Sequence, residues 1–218
     1  MIYVTGDCHG RLQRLIDFAQ NLTNKDGILV LGDLGLCWRK DRLDMYPFIR
    51  IWEGLKNNPM LYFIDGNHEN FNILETFKDG YISPHIRYLT RGTITKLDDK
   101  ICLFMGGADS IDKHLRTEHL SWWKEEQITE ENIKGIKCDV DYVFTHCCPY
   151  NVFLKYKAYL ADPRFIDLDL EFDNTSEKRL EKLSKNITFK HWWFGHYHQD
   201  IDLDNTFSCL YNEFKELK

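Results

Sequence analysis

The chain begins with MIYVTGDCHG, residues 1–10, in which an apolar run leads directly into a polar segment that contains two glycines. Residues 1–5 are rich in β-branched and aromatic side chains and predict a strand. Asp7 and His9 stand two positions apart, so in extended backbone their side chains point to the same side and can share one ligand. The opening segment therefore predicts a strand that ends in a binding site.

The same arrangement, a predicted strand followed by polar residues, recurs four more times. The segments after those strands read, in order, GD at 32–33, DGNHE at 65–69, a lone His146, and GHYH at 195–198. Helical patterns separate the first three strands, which predicts parallel strands joined by helical crossovers. In such sheets, ligands collect at the carboxyl ends of the strands. We therefore expect the five polar segments to converge on one site.

The remainder of the chain predicts further β-hairpins and one more helix. Residues 86–104 are β-rich and are broken at 98–100 by a turn signal, which predicts a hairpin. Asn174, followed three positions later by Glu177, is typical of a helix start and predicts a helix over 174–185. Short strands are expected around 191–194, 200–203 and 207–211. The 218 residues fit one α/β domain, residues 1–218.

Composition limits the partners and the compartment that we expect. The chain has 28 Lys and Arg against 34 Asp and Glu, a net charge of −6, which gives no overall attraction to nucleic acid or to anionic membranes. No apolar run approaches the roughly 18–20 residues of a membrane span, and the first residues lack the pattern of a signal peptide. The seven cysteines fit no disulfide or zinc framework. These features predict a cytoplasmic protein with reduced thiols.

The five polar segments resemble the signature of the calcineurin-like metallophosphoesterase superfamily. That signature is Asp-x-His, Gly-Asp, Gly-Asn-His-Asp/Glu, a lone His and Gly-His-x-His, and all five parts occur in order between Asp7 and His198. The chain resembles small bacterial and phage-type members. The resemblance implies a four-layer α/β/β/α sandwich with mixed sheets and C-terminal β-hairpins. It also implies a metal-dependent hydrolase that acts on phosphomonoester or phosphodiester bonds.

The resemblance further implies a dinuclear metal centre. One ion would be held by Asp7, His9 and His198. The second would be held by Asn67, His146 and His196, and Asp33 would bridge both ions. His68 would bind neither ion and would face the phosphate, so His68 and Asp33 are the expected catalytic residues. Imidazole, carboxylate and amide ligands suit Mn, Fe, Zn or Ni. Two such ions would activate a bridging hydroxide for attack on phosphorus.

One part of the resemblance fails. The protein-phosphatase branch carries an Asp-Arg pair shortly after the bridging aspartate, whereas here Asp33 is followed by LGLCW, residues 34–38. The missing arginine favours phosphodiester or nucleotide-type substrates over phosphomonoesters. Arg39, close to this segment, and Lys113 and Arg116, in the glycine-containing loop 106–116, are candidates to contact the substrate instead.

Three alternatives stay open. They are a nuclease of the same superfamily, a Ser/Thr-type protein phosphatase, and a scaffold or binding module that retains the metals without activity. Nucleases usually need a basic track, which the net charge does not favour. Scaffold relatives typically lose a ligand or the catalytic histidine, and here all of them are present. The expected partner is a small phosphorylated or nucleotide-type substrate, with nucleic acid left open, no membrane, and the oligomeric state undetermined.

Overall fold

Two six-stranded mixed sheets form the centre of the computed structural model, which describes residues 1–160 and 174–218. The first sheet contains β1 (Ile2–Thr5), β2 (Gly27–Val30), β3 (Met60–Phe63), β4 (Tyr81–Ser83), β5 (Ile86–Tyr88) and β14 (Lys215–Glu216). The second contains β6 (Thr93–Leu97), β7 (Lys100–Met105), β9 (Tyr142–Thr145), β11 (His191–Phe194), β12 (Ile201–Asp202) and β13 (Phe207–Cys209). A separate small pair joins β8 (Cys138–Asp139) and β10 (Ile187–Thr188).

Both sheets have the same plan, with four parallel strands in the middle and an antiparallel strand at each edge. The first sheet runs β14-β1-β2-β3-β5-β4 and the second runs β12-β13-β11-β9-β7-β6. The inner pairings are all parallel, and the pairings of β14, β4, β12 and β6 are all antiparallel. Parallel strands need covered faces, so each sheet requires one layer on either side.

The alternation of side chains along β2 shows how the layers are built. Ile28 and Val30 pack on the helices α1 (Gln13–Ala19), α2 (Met45–Glu53) and α3 (Phe71–Leu74). Leu29 points to the opposite face and packs against the second sheet, where the rings of Phe104 and Phe144 stack 5.3 Å apart. The helices on the far side of the second sheet are α4 (Glu130–Ile133), α5 (Tyr150–Leu160) and α6 (Thr175–Ser184).

The predicted four-layer sandwich is therefore confirmed. The helix predicted over 174–185 is α6, with Asn174 as its N-cap. The hairpin predicted over 86–104 begins later than expected, because β5 pairs with β3 in the first sheet and only β6 and β7 form the hairpin. That residues 1–218 form one domain stays a prediction. None of the helices within 1–160 and 174–218 is long and apolar enough to cross a membrane.

Candidate metal centre

The segments that follow β1 and β11 bring three predicted ligands together. Asp7 Oδ2 lies 3.1 Å from His198 Nε2 and 3.5 Å from His9 Nε2. The two imidazole nitrogens are 2.9 Å apart. Asp7 is fully buried, whereas His198 is 46% exposed, so this group is open to solvent on one side. The geometry fits one cation held by a carboxylate and two imidazoles.

A second group lies deeper, after β2, β3 and β9. His146 Nε2 is 3.4 Å from Asp33 Oδ2 and 3.1 Å from Asn67 Oδ1. The ring of His196 lies 4.9 Å from that of His146. Asp33 Oδ2 is also 3.8 Å from His9 Nε2 of the first group. Asp33 therefore stands between the two groups, in the place predicted for a bridging carboxylate.

Backbone groups hold one oxygen of each aspartate and leave the other facing the cluster. Asp7 Oδ1 accepts a hydrogen bond from the His196 N–H at 2.9 Å. Asp33 Oδ1 accepts one from the His68 N–H at 2.7 Å. A side chain at Gly66 would place its Cβ 2.0 Å from Asp33 Oδ1, so only glycine lets the backbone come this close. The glycine of the GNHE segment thus has a direct steric role.

Four predicted ligands adopt left-handed backbone conformations that non-glycine residues rarely use. The φ angles are 48° at His9, 49° at Asp33, 67° at His196 and 54° at His198. Each such residue costs about 1–3 kcal/mol, and strain of this kind persists where the surrounding structure enforces it. All four residues belong to the candidate ligand groups, and strain of this kind clusters at functional sites.

Burial and charge act against each other within the cluster. Burial alone would lower the pKa of His146, but the negative charges of Asp33 and Asp7 outweigh it and raise that pKa to about 10. Burial would raise the pKa of Asp7, yet His146, with hydrogen bonds from His198 and His9, holds it well below its usual range. The carboxylates therefore stay ionised and attract positive charge.

The donor atoms fit a divalent metal. His146 Nδ1 lies 2.6 Å from the Leu31 carbonyl and donates to it, so Nε2, which faces the oxygens of Asp33 and Asn67, is the nitrogen that would bind a cation in exchange for its proton. A cation bound there would be held by one imidazole nitrogen, one carboxylate oxygen and one amide oxygen. Asp7 Oδ2 is buried and faces the Nε2 atoms of His198 and His9, at 3.1 Å and 3.5 Å. Nitrogen and oxygen donors without a thiolate suit Mn, Fe, Zn or Ni.

His68 lies beside the cluster, and the structure brings one predicted substrate contact to it. Its ring is 5.0 Å from that of His9, and Arg116 Nη2 lies 3.1 Å from His68 Nε2. Asp112 Oδ1 holds the same guanidinium at 2.8 Å. Lys113 begins the short 3₁₀ turn Lys113–Leu115 that precedes Arg116. Arg39 is turned away, because its exposed guanidinium pairs with Asp41 at 2.7 Å.

A family model of calcineurin-like phosphoesterases matches residues 1–200. The chain belongs to the calcineurin-like phosphoesterase family. The description of this family is that of phosphoesterases, the class of enzyme that the sequence predicts. The predicted family is therefore confirmed.

Curated relatives agree with this assignment. The chain is 25% identical to a lariat debranching enzyme of Danio rerio, over 90% of this chain and 40% of the relative. It is 24% identical to lariat debranching enzyme A of Xenopus laevis, over 90% and 42%. A "probable cyclic nucleotide phosphodiesterase" of Fibrobacter succinogenes is 25% identical over 85% and 62%. The chain thus spans about two fifths of the first two relatives and about three fifths of the third.

The sequence motifs did not predict some of the residues that lie around the site of this phosphoesterase. Tyr211 stacks on the ring of His198 with centroids 4.5 Å apart, and Arg11 donates to the Tyr211 hydroxyl. Ser110 accepts a hydrogen bond from Asn67 at 3.0 Å. None of them belongs to a motif. The glycine-containing loop 106–116 was a signal for Ser110, whereas nothing in the sequence marks Tyr211.

Proposed function

We propose that this phosphoesterase hydrolyses phosphodiester bonds of nucleotide-type substrates with two divalent cations. The observation that carries the proposal is the position of Asp33, whose Oδ2 is within 3.4 Å of His146 Nε2 and 3.8 Å of His9 Nε2. One carboxylate between two ligand groups is the arrangement that a two-metal centre requires. Mn, Fe, Zn and Ni are the candidate ions.

The ligand groups assign a role to each side chain. Asp7, His9 and His198 would hold one ion, Asn67, His146 and His196 would hold the other, and Asp33 would contact both. When bound, the two ions polarise phosphoryl oxygens and lower the pKa of water between them. The buried carboxylates of Asp7 and Asp33 would orient the imidazoles that bind the ions.

His68 and Arg116 lie together beside the candidate ligands, where both would contact the phosphate. Burial lowers the pKa of His68, the charge of Asp33 opposes this, and the guanidinium of Arg116 adds to the lowering. The ring is therefore neutral at neutral pH. Because Arg116 donates to Nε2, the one ring proton is on Nδ1, and from there it would be donated to the leaving oxygen as charge develops. Arg116 supplies a fixed positive charge to a non-bridging phosphate oxygen.

Two observations favour a diester over a monoester. A phosphodiester has one negative charge, whereas a monoester approaches two at neutral pH. The site offers one arginine beside His68, from the loop 106–116, in place of the Asp-Arg pair of the phosphatase branch. A relative named as a cyclic nucleotide phosphodiesterase adds support for a nucleotide-type substrate. The seven free cysteines support a reducing, cytoplasmic compartment.

The test combines metal content with a matched pair of substrates. Chelator-stripped protein is reloaded with Mn, Fe, Zn, Ni or Mg and assayed on a chromogenic phosphodiester and on its monoester counterpart. About two ions per chain with faster diester turnover are expected. Turnover of the monoester alone refutes the diester preference, and a single ion at full activity refutes the bridging role of Asp33. Two ions without turnover of either substrate, or of cyclic nucleotides, would favour the scaffold alternative.

A further inference from the structure

The amide of Asn67 has two ends of nearly the same shape and of opposite character. Only the carbonyl oxygen can bind a cation, because the NH₂ group carries donors and no acceptor. Oδ1 lies 3.1 Å from His146 Nε2, on the side of the candidate ligands. The reversed amide would occupy the same space and would turn its NH₂ group toward the cation. Neighbouring groups must therefore hold the amide the right way round.

Ser110 contacts the other end of this amide. Asn67 Nδ2 donates to Ser110 Oγ at 3.0 Å, and the hydroxyl in turn donates its one proton to Glu126 Oε2 at 2.8 Å. Because that proton is committed to the carboxylate, Oγ meets Asn67 only as an acceptor. It can accept from the NH₂ group but cannot donate to a carbonyl. The contact therefore selects one orientation of the amide.

Glu126 holds Ser110 from two sides. Its Oε1 accepts from the Ser110 N–H at 2.7 Å, while Oε2 accepts from the hydroxyl. The Glu126 carbonyl accepts from Arg91 Nη2 at 3.0 Å, and Arg91 pairs with Asp65 at 2.6 Å, two residues before Asn67. Ser110 is 4% exposed and Glu126 is 1% exposed. The chain of contacts is buried and is anchored to the segment that carries Asn67.

A role in stability alone does not account for this arrangement. Burying an ionised carboxyl costs several kcal/mol, and apolar residues of similar volume commonly replace such groups without loss of stability. Both carboxylate oxygens of Glu126 accept hydrogen bonds from Ser110, the residue that contacts the amide of Asn67. An apolar pair at these positions would fill the space and leave the amide free to reverse.

We propose that Ser110 and Glu126 are positioning residues for the metal centre, which orient Asn67 so that its oxygen faces the cation. The inference rests on the proposed function, since it requires Asn67 to hold a cation. Ser110 and Glu126 are not among the candidate ligands and act through the amide of Asn67. Outer contacts of this kind typically change metal affinity by about 10–100-fold.

The first measurement is a calorimetric titration of chelator-stripped protein with Mn²⁺. It is run at about pH 8, above the pKa of Glu126, which burial raises to about 7. Ser110→Ala is expected to weaken one binding event by about 10–100-fold. Ser176→Ala is the matched control, because Ser176 is fully buried nearby and its hydroxyl accepts from the Ile128 N–H at 3.0 Å. The control is expected to bind Mn²⁺ as the wild type does.

Asn67→Asp separates orientation from folding. A carboxylate presents an oxygen in either orientation, so the effect of Ser110→Ala on Mn²⁺ affinity is expected to shrink to about twofold in that background. An equal loss in both backgrounds would show that Ser110 acts only on structure and would overturn the inference. Thermal unfolding of the metal-free variants reports any loss of folding separately.

A further variant keeps the test decisive if Ser110→Ala does not fold. Glu126→Gln preserves shape but can either donate to or accept from the Ser110 hydroxyl, so the selection is lost, and a loss of roughly tenfold in Mn²⁺ affinity is expected. Wild-type affinity in a folded Glu126→Gln overturns the inference and leaves the proposed function intact. A wild-type protein that binds no Mn²⁺ overturns both.

Discussion

The guanidinium of Arg116 lies against the ring of His68, with Nη2 3.1 Å from Nε2 across 48 positions of sequence. Arg116 is only 12% exposed, and Asp112 holds it from the other side at 2.8 Å. A fixed positive charge therefore stands next to the histidine that is proposed to face the phosphate. The loop 106–116 supplies the charge that the segment after Asp33 lacks.

Arg116→Ala should lower kcat/KM on a phosphodiester by about 10–100-fold, because a hydrogen bond to a charged group contributes about 1.5–3 kcal/mol. Arg116→Lys should recover part of the lost kcat/KM, since lysine keeps the positive charge but lacks the planar guanidinium that can donate two parallel hydrogen bonds. Arg39→Ala is the matched control, because Arg39 pairs with Asp41 on the surface. Steady-state kinetics of the three variants make the comparison. Equal losses in Arg116→Ala and Arg39→Ala would remove Arg116 from the site.

His68→Ala should keep its metal and lose turnover by about 10²–10⁴-fold, the usual size of acid–base and charge-stabilising effects. The ring of His68 is close enough to His9 and Asp33 to join them as a metal ligand instead. Metal analysis of the purified variant, set beside its kcat, separates the two roles. Loss of one ion per chain would make His68 a ligand.

The convergence of the candidate ligands was largely predictable because each of them follows its strand within a few residues. Asp7 and His9 lie directly after β1, and His146 lies directly after β9, so local spacing and strand order place them at one edge. The sequence could not show which of Arg39 and Arg116 lies near His68. Both stand in loops, and only packing across 48 positions shows that Arg116 reaches His68.

The division of strands between the two sheets was predictable only in part. Residues 86–88 and 93–97 have similar β-forming patterns, and the turn at Asp98 and Asp99 marks the second of them as a hairpin arm. Which sheet accepts β5 depends on its parallel pairing with β3, a contact that no local pattern encodes. Glu126 is similar, because it adjoins Ser110 only after the loop has folded back.

Removal of metal should lower the thermal stability of the wild type and should leave Asp33→Asn almost unaffected. A ligand at 100 times its Kd stabilises the folded state by about 2.7 kcal/mol per site. Asp33 contacts both ligand groups, so its replacement should weaken binding at both. The measurement is Tm by calorimetry with and without chelator. An equal chelator-dependent fall in Tm for both proteins would contradict the bridging role.

Glu177 should make the metal-free protein less stable as pH rises. Burial, then the charge of Asp109, raises the pKa of Glu177 from 4.5 to about 8. Between these values the folded state keeps a proton that the unfolded state has lost. The free energy of unfolding therefore falls as pH rises from about 4.5 to about 8 and levels off above that range.

Glu177→Gln cannot ionise at this position, so its free energy of unfolding should not show this decrease. Urea unfolding should therefore show the stability of the variant rising relative to that of the wild type between about pH 4.5 and about pH 8. Glu181→Gln, on the same helix α6, is the control, because Glu181 is partly exposed and pairs with Lys185 at 2.9 Å. The difference in free energy of unfolding between Glu181→Gln and the wild type should change little with pH. Parallel pH profiles for wild type and Glu177→Gln would mean that the buried carboxyl is already compensated in the folded state.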